Sequence, residues 1–407
     1  MIETMRSGAF LTRERLRMYP LILVIAYALS LGLLFATSHD DMDMLGRPLG
    51  TDFSEVYAAG IFVREGEPAK PFDNLAHAAM QKTLFGPDAP FYAWGYPPYF
   101  LLLAALLSCL PYLGALIVWQ AATLSLYLVA MRRIVASKAT LLLALGFPAV
   151  YVNLTHGQNG FLTASLMAGG LIALDKRPLL AGMLFGCLAY KPQFCVLLPV
   201  ALLAGRHWRA SLAAAAMLAV MTFATLIAFG SETWVAFLDS LPFSRQVIIE
   251  QGNTGFEKFQ TVFGAVRLLG GPIPLAYVLQ STSTIAVAAI VALLWWTGAE
   301  RRLRSAALMA ATLLATPYAL DYDMMILGPA IAFLASYGLE NGFRPYQKLL
   351  LGCVWCVPLL ARSTAQYASI PIGVICVALL FVAAVSRALG DRRSESRVVA
   401  TTVPRGS

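Results

Sequence analysis

Charge is what this sequence has least of. Only 13% of its 407 residues are Asp, Glu, Lys or Arg, about half the roughly 25% of a soluble globular domain. With 59% hydrophobic residues and a mean hydropathy of +0.70, that scarcity excludes a soluble globular chain and indicates a polytopic membrane protein. Cysteine is scarce too. All six (Cys109, Cys187, Cys195, Cys353, Cys356 and Cys376) lie in apolar segments, which excludes a disulfide framework and offers no zinc-ligand spacing. Cys353 and Cys356 form a C-x-x-C, read on a helix as two small apolar side chains facing one neighbour. There is no low-complexity tract, no internal repeat and no polar stretch large enough to fold as a soluble domain. The net charge of +8 does not make nucleic acid a partner, because the Lys and Arg residues fall in short clusters between apolar runs, as cytoplasmic loops do.

The first apolar run, Pro20 to Thr37, follows Arg13, Arg15 and Arg17 and has no small-residue cleavage site behind it, so it is expected to remain as an anchor. The positive-inside rule then puts residues 1–19 in the cytoplasm and the loop 38–96 outside. This loop is predicted to carry two amphipathic helices on the membrane plane. Ser54 can cap the first, with Val56, Tyr57, Gly60 and Ile61 on one face; Asp73 can cap the second, with Leu75, Ala78, Ala79 and Leu84 along one side. An ordinary soluble loop is the alternative.

Apolar runs resume at Pro97-Pro98 and continue to Val385. Clusters at Arg132/Arg133/Lys138, Lys176/Arg177, Arg206/Arg209, Arg301/Arg302/Arg304, Arg344/Lys348 and Arg387/Arg392/Arg393 read as cytoplasmic. Six apolar runs separate Tyr96 from Arg206, where an odd number of crossings is needed. One pair must act as a single crossing: Pro97 to Met131, broken by Pro111 and Gly114, which keeps Arg132 and Arg133 inside; the rival is Leu179 to Leu203 as one helix kinked at Pro192. Either choice gives an all-α bundle of about twelve transmembrane helices, with one integral membrane domain over 20–387 and a cytoplasmic tail over 388–407. Val403 to Ser407 resembles what a protease leaves at an engineered site.

Polar islands border these runs. A lone acid such as Asp52, where an apolar helix meets water, ionises at little cost and can take a proton from a hydroxyl; it can equally serve as an N-cap or first-turn acid. Asp40, Asp41 and Asp43 read as a solvated loop, and with His39 they show no metal-ligand spacing. His156, Gln158 and Asn159, interleaved with glycines, form a turn rich in hydrogen-bonding groups, which suits a sugar or simply caps two helices. Lys191 sits in apolar sequence, where a charge costs about 2.5–3.5 kcal/mol at a helix centre. It needs an acid, a lipid phosphate or an aqueous cavity, unless it snorkels to an interface. The segment from Thr316 to Asp323 poses the same question through Asp321 and Asp323.

Taken in order, Asp52, Tyr96-Pro97-Pro98, Gly157-Gln158-Asn159 and Lys191-Pro192-Gln193 resemble the polyprenyl-phosphate-mannose-dependent mannosyltransferases of glycosyltransferase family 87, within the wider GT-C fold, from Pro20 to about Arg387. The resemblance implies a polyprenyl-phosphate-linked sugar donor, a lipid or glycan acceptor, an outer-face cavity, inversion at the anomeric carbon, and neither a nucleotide-sugar site nor an obligatory metal or cofactor. It also implies that Asp52 is the general base. Candidate substrate-binding residues are Tyr96, His156, Gln158, Asn159, Lys191 and Gln193. Where many relatives place a Ser-Pro segment and paired histidines, this chain reads Thr316-Pro317 and Asp321-Tyr322-Asp323, so Tyr322 and Asp323 are carried over as site candidates. The expected location is a bacterial inner membrane, with the site on the periplasmic or outer side. A secondary transporter or lipid flippase is the competing class, and a structural subunit, in which the islands would be dispensable, is a third.

Overall fold

The computed structural model describes residues 2–402, with side chains to residue 391. Arg392 and Arg393 fall outside the described side chains, and Val403 to Ser407 outside the described residues. Regular structure is helical, with a few isolated bridges. The chain begins with α1 (Ile2–Ser7) and α2 (Arg13–Ala36), continues through α3 (Phe53–Arg64) and α4 (Asn74–Phe85), and then forms α5 (Tyr99–Leu107), α6 (Tyr112–Ile134), α7 (Lys138–Leu145) and α8 (Pro148–His156). Next come α9 (Gly160–Ala173), α10 (Pro178–Cys187), α11 (Leu197–Ala204), α12 (Trp208–Phe243) and α13 (Val262–Leu268). The last five are α14 (Ile273–Trp296), α15 (Arg301–Leu314), α16 (Leu327–Asn341), α17 (Gln347–Ala368) and α18 (Ile372–Thr402).

Among the described residues seven helical segments are long and apolar enough to cross a membrane, and the bent pair α7–α8 makes eight if it is one span. Three further apolar helices, Gly160–Ala173, Pro178–Tyr190 and Pro192–Ala204, are shorter. At 1.5 Å per residue each covers roughly 20 Å of a core about 30 Å thick. The expectation of about twelve crossings counts such runs as spans, whereas by length and composition seven or eight of the described helical segments qualify. α5, with nine residues, is too short to cross, whereas α6 suffices alone.

The centre of the bundle is α15, buried at almost every position from Leu303 to Leu314. Around it Met167, Leu171, Phe194, Val291, Trp295 and Leu327 belong to the main core. The basic clusters gather at one end of the bundle. Arg344 and Arg387 both bind Asp391, Arg387 and Arg302 both lie over the Tyr337 ring, and Arg301 and Arg304 both face Asp175. The Tyr346 N–H donates to the Arg6 carbonyl, which brings the N-terminal segment to the same end.

The segment between α2 and α5 departs from the expected pair of surface helices. α3 starts at Phe53 rather than after Ser54, whose hydroxyl is buried without a partner. Most of α3 is buried, because Gly60 lets the Ala104 carbonyl of α5 approach where a Cβ would collide with it. α4 does start at Asp73, whose carboxylate accepts from the Leu75 and Ala76 N–H groups. Its inward face is His77, Gln81 and Phe85, while Leu75 is 84% exposed. Polarity misled the pattern here: the Gln81 amide is buried because it exchanges two hydrogen bonds with the Tyr92 backbone, at 2.6 and 2.9 Å.

His77 is fully buried beside Phe62 and Phe91, and among the described residues neither ring nitrogen has a hydrogen-bond partner. Burial disfavours the imidazolium and holds its pKa down to about 3. Between that value and the ordinary 6.5 the unfolded segment binds a proton that the folded one does not, so stability is present above pH 6.5 and is lost as pH falls. Unfolding followed from pH 7 to 4 should show a loss of about 1.4 kcal/mol per unit below the ordinary histidine range. His77→Phe should flatten that dependence, and an unchanged slope in the variant would show that His77 is not its source.

Candidate functional site

The loop leading into α3 turns sharply at Gly50 and Thr51, with φ of 73° and 25°. A β-branched residue at positive φ is strained, which persists only where surrounding structure imposes it. The turn delivers Asp52 to the N-cap position of α3, yet its carboxylate makes no cap bond. Instead Asp52 Oδ2 accepts from Gln158 Nε2 at 2.7 Å. The Asp52 side chain is thus bound to Gln158 and does not cap α3.

Gln158 stands in the turn between α8 and α9, where Gly157 adopts a left-handed conformation, φ 60°. A Cβ at Gly157 would lie 2.5 Å from the Cβ of Phe53 and 2.8 Å from the Gly50 carbonyl. Only glycine lets the two turns approach so closely. Gly157→Ala is therefore expected to cost about 1–3 kcal/mol in backbone strain and, by shifting Gln158 and Asp52 apart by about 1 Å, to lower activity on the order of 100-fold. Thermal unfolding and turnover check this together; a variant matching wild type in both would contradict the close contact.

From Gln158 the network continues inward. Its Oε1 accepts from the Tyr96 hydroxyl at 3.3 Å and from the Asn159 N–H at 3.2 Å, and Asn159 Nδ2 donates to the Tyr96 oxygen at 2.8 Å. Burial, followed by the nearby Glu55 and Asp52 carboxyls, holds the Tyr96 pKa well above its usual range, so its O–H remains a donor. Gln120 and Trp119 of α6 anchor the turn by donating to the Gln158 and Gly157 carbonyls, each at 3.1 Å. Tyr190 donates to the Asn159 carbonyl and shares a 2.6 Å hydrogen bond with Thr163. Thr51 Oγ1, Gln120 Oε1 and Asn159 Oδ1 are buried with no partner among the described residues.

A second cluster abuts the first through Asn153, whose Nδ2 donates to the Tyr322 carbonyl and whose Oδ1 accepts from the Gly160 N–H, each at 2.9 Å. Beyond it Lys191 Nζ donates to Asp323 Oδ1 at 2.6 Å and lies over the Tyr322 and Phe194 rings. Asp323 Oδ2 accepts from the Leu320 N–H. The acid that Lys191 requires is thus on the opposite polar island. His156 stays apart: its Nδ1–H donates back to the Val152 carbonyl at 2.9 Å. Gln193, half-buried on the next turn, takes no part in the network. Asp43 is occupied within its own turn: its Oδ2 accepts from the Arg47 guanidinium twice, and its Oδ1 from the Leu45 and Arg47 backbone N–H groups.

Beside this site lies an apolar cavity of about 510 Å³. Its lining includes Pro97 and Pro192, the residues that follow Tyr96 and Lys191, together with Phe185, Leu202, Trp234 and Phe237.

A sequence model of glycosyltransferase family 87 matches residues 94–317, more than half of the chain. The chain belongs to glycosyltransferase family 87. Comparisons with curated proteins and with solved structures give no match. The match makes this protein a membrane glycosyltransferase. It covers Tyr96, Gln158, Asn159, Lys191 and Gln193 of the transferase, while Asp52, Tyr322 and Asp323 lie beyond it and join the site only through the fold. Glu55, Gln120 and Tyr190 of the transferase escaped sequence reasoning. Glu55 had a signal, its place one helical turn from Asp52; the other two sit inside apolar runs with none.

Proposed function

We propose that this transferase moves a sugar, mannose, from a polyprenyl-phosphate donor to a hydroxyl of a lipid or glycan acceptor at the outer face of a bacterial inner membrane, with Asp52 as the general base. The observation that carries the reading is the apolar cavity lined in part by Pro97 and Pro192, next in sequence to Tyr96 and Lys191, and suited to an isoprenoid chain whose burial supplies most of the donor's binding. The phosphate and sugar would then lie against Tyr96, Asn159 and Lys191. An ammonium has three N–H donors; Lys191 gives one to Asp323, which leaves two for the donor phosphate.

In the step itself, Asp52 takes the acceptor's proton as the acceptor oxygen bonds to the anomeric carbon from the face opposite the phosphate. The bond from that carbon to the phosphate oxygen breaks, and polyprenyl phosphate leaves with the electron pair. Gln158 holds the carboxylate by one oxygen, so the other is available for the proton. Inversion follows from attack opposite the leaving group. The outer placement rests on the basic clusters gathering at the other end of the bundle.

Purified protein incubated with radiolabelled polyprenyl-phosphate mannose and membrane lipid extract should transfer label to a lipid or glycan product. Failure with every polyprenyl-phosphate hexose, in protein that remains folded, would overturn the donor. For the side of the membrane, a cysteine at exposed Asp88 should react with an impermeant reagent added outside intact cells; reaction only after lysis would place the site on the cytoplasmic face.

A further inference from the structure

Glu55 stands on α3 three residues beyond Asp52, a spacing that puts the two side chains on one face of the helix. It is 6% exposed, and its carboxyl has no hydrogen-bond or ion-pair partner among the described residues. The neighbouring carboxylates are all engaged: Asp52 by Gln158, Asp323 by Lys191 and the Leu320 N–H, Asp321 by the Tyr322 N–H. Glu55 nevertheless lies within electrostatic reach of Asp52, Lys191, Tyr96, Tyr92 and Tyr318.

A buried, unpaired carboxylate would be costly, and the group takes a proton instead. Burial above all, with the Asp52 charge second and against the opposing pull of Lys191, holds the Glu55 pKa well above the usual carboxylate range. A protonated carboxyl donates through one oxygen and accepts through the other. A sugar hydroxyl has the same pair of capacities. The site therefore holds a buried polar group matched to a hydroxyl and to nothing among the described residues.

We propose that Glu55 is a specificity-determining ligand of the transferred sugar: its carboxyl holds one pyranose hydroxyl and turns the anomeric carbon toward the acceptor that Asp52 activates. This rests on the donor reading above. Because the contact is to the sugar, it distinguishes a sugar-bearing polyprenyl phosphate from the bare lipid phosphate.

The test uses the full-length protein and its Glu55→Ala and Glu55→Gln variants. Binding of polyprenyl-phosphate mannose, glucose and galactose is compared with binding of bare polyprenyl phosphate, and transfer is measured from the preferred donor and its monodeoxy analogues. Glu55→Ala should weaken binding of the preferred sugar lipid about tenfold, the worth of one hydrogen bond to a sugar hydroxyl, leave the bare phosphate unaffected, and erase discrimination against one deoxy position. Glu55→Gln, which keeps a donor and an acceptor, should restore most of the difference. If the Ala variant does not fold, Glu55→Met fills the space without polar atoms and should show the same split. Equal weakening toward both lipids, or wild-type discrimination at every deoxy position, overturns the assignment. Wild-type protein that transfers none of the sugars removes the donor reading, and the binding comparison then decides Glu55 separately: equal affinity of wild type and Glu55→Ala for every sugar lipid rejects it.

Discussion

Asp52→Asn should fold as wild type does and transfer sugar at least about 100-fold more slowly, the loss expected when a positioned general base is removed. The amide keeps an oxygen that can accept the Gln158 hydrogen bond, now 2.7 Å long at Asp52 Oδ2, so the geometry of the turn is retained and only proton acceptance disappears. Because α3 gets no cap bond from this side chain, helix stability should hardly move. Initial rates at saturating donor, read beside thermal unfolding, separate the two effects. Near-normal turnover would remove Asp52 from the chemistry, and a matching loss of stability would return it to a capping role.

Lys191→Met is expected to lower stability by about 3–5 kcal/mol, the usual consequence of stripping one partner from a buried ion pair. This reverses what the sequence suggests. An isolated lysine in apolar sequence is a burden whose removal would leave stability level or raise it, but Asp323 is 1% exposed and 2.6 Å from the ammonium. Without Lys191 that carboxylate is left buried and uncompensated. Joining Lys191→Met to Asp323→Asn should recover most of the stability, since asparagine can still accept from the Leu320 N–H. If Lys191 also binds the donor phosphate, the doubly substituted protein will be stable yet weak in donor binding, with Lys191→Arg better than Met. A single Met variant as stable as wild type would mean that the pair contributes nothing to the fold.

Much of the site was legible before any coordinates. Asp52, Tyr96, Gln158, Asn159 and Lys191 announce themselves because polar groups in apolar surroundings are costly and need a reason. Their partners do not. Asn153 sits inside an apolar run, and only the approach of the Tyr322 carbonyl explains it. Glu55 looks like an ordinary first-turn acid until the burial of α3 is known. His156 is a conspicuous residue whose Nδ1–H donates back to its own helix.

By itself the sequence determined that this is an all-helical membrane protein, since a chain so apolar and so poor in charge can satisfy its backbone in lipid only by helices closed on themselves. It also determined where the polar turns fall, because apolar runs and basic clusters are properties of local composition. Tertiary structure alone decided that Asp52 binds Gln158 rather than capping α3, and that Lys191 meets Asp323. Such choices depend on contacts between residues more than 100 positions apart in the chain, set by close approaches such as that of Gly157 to Phe53, and no local pattern encodes a distance between two turns.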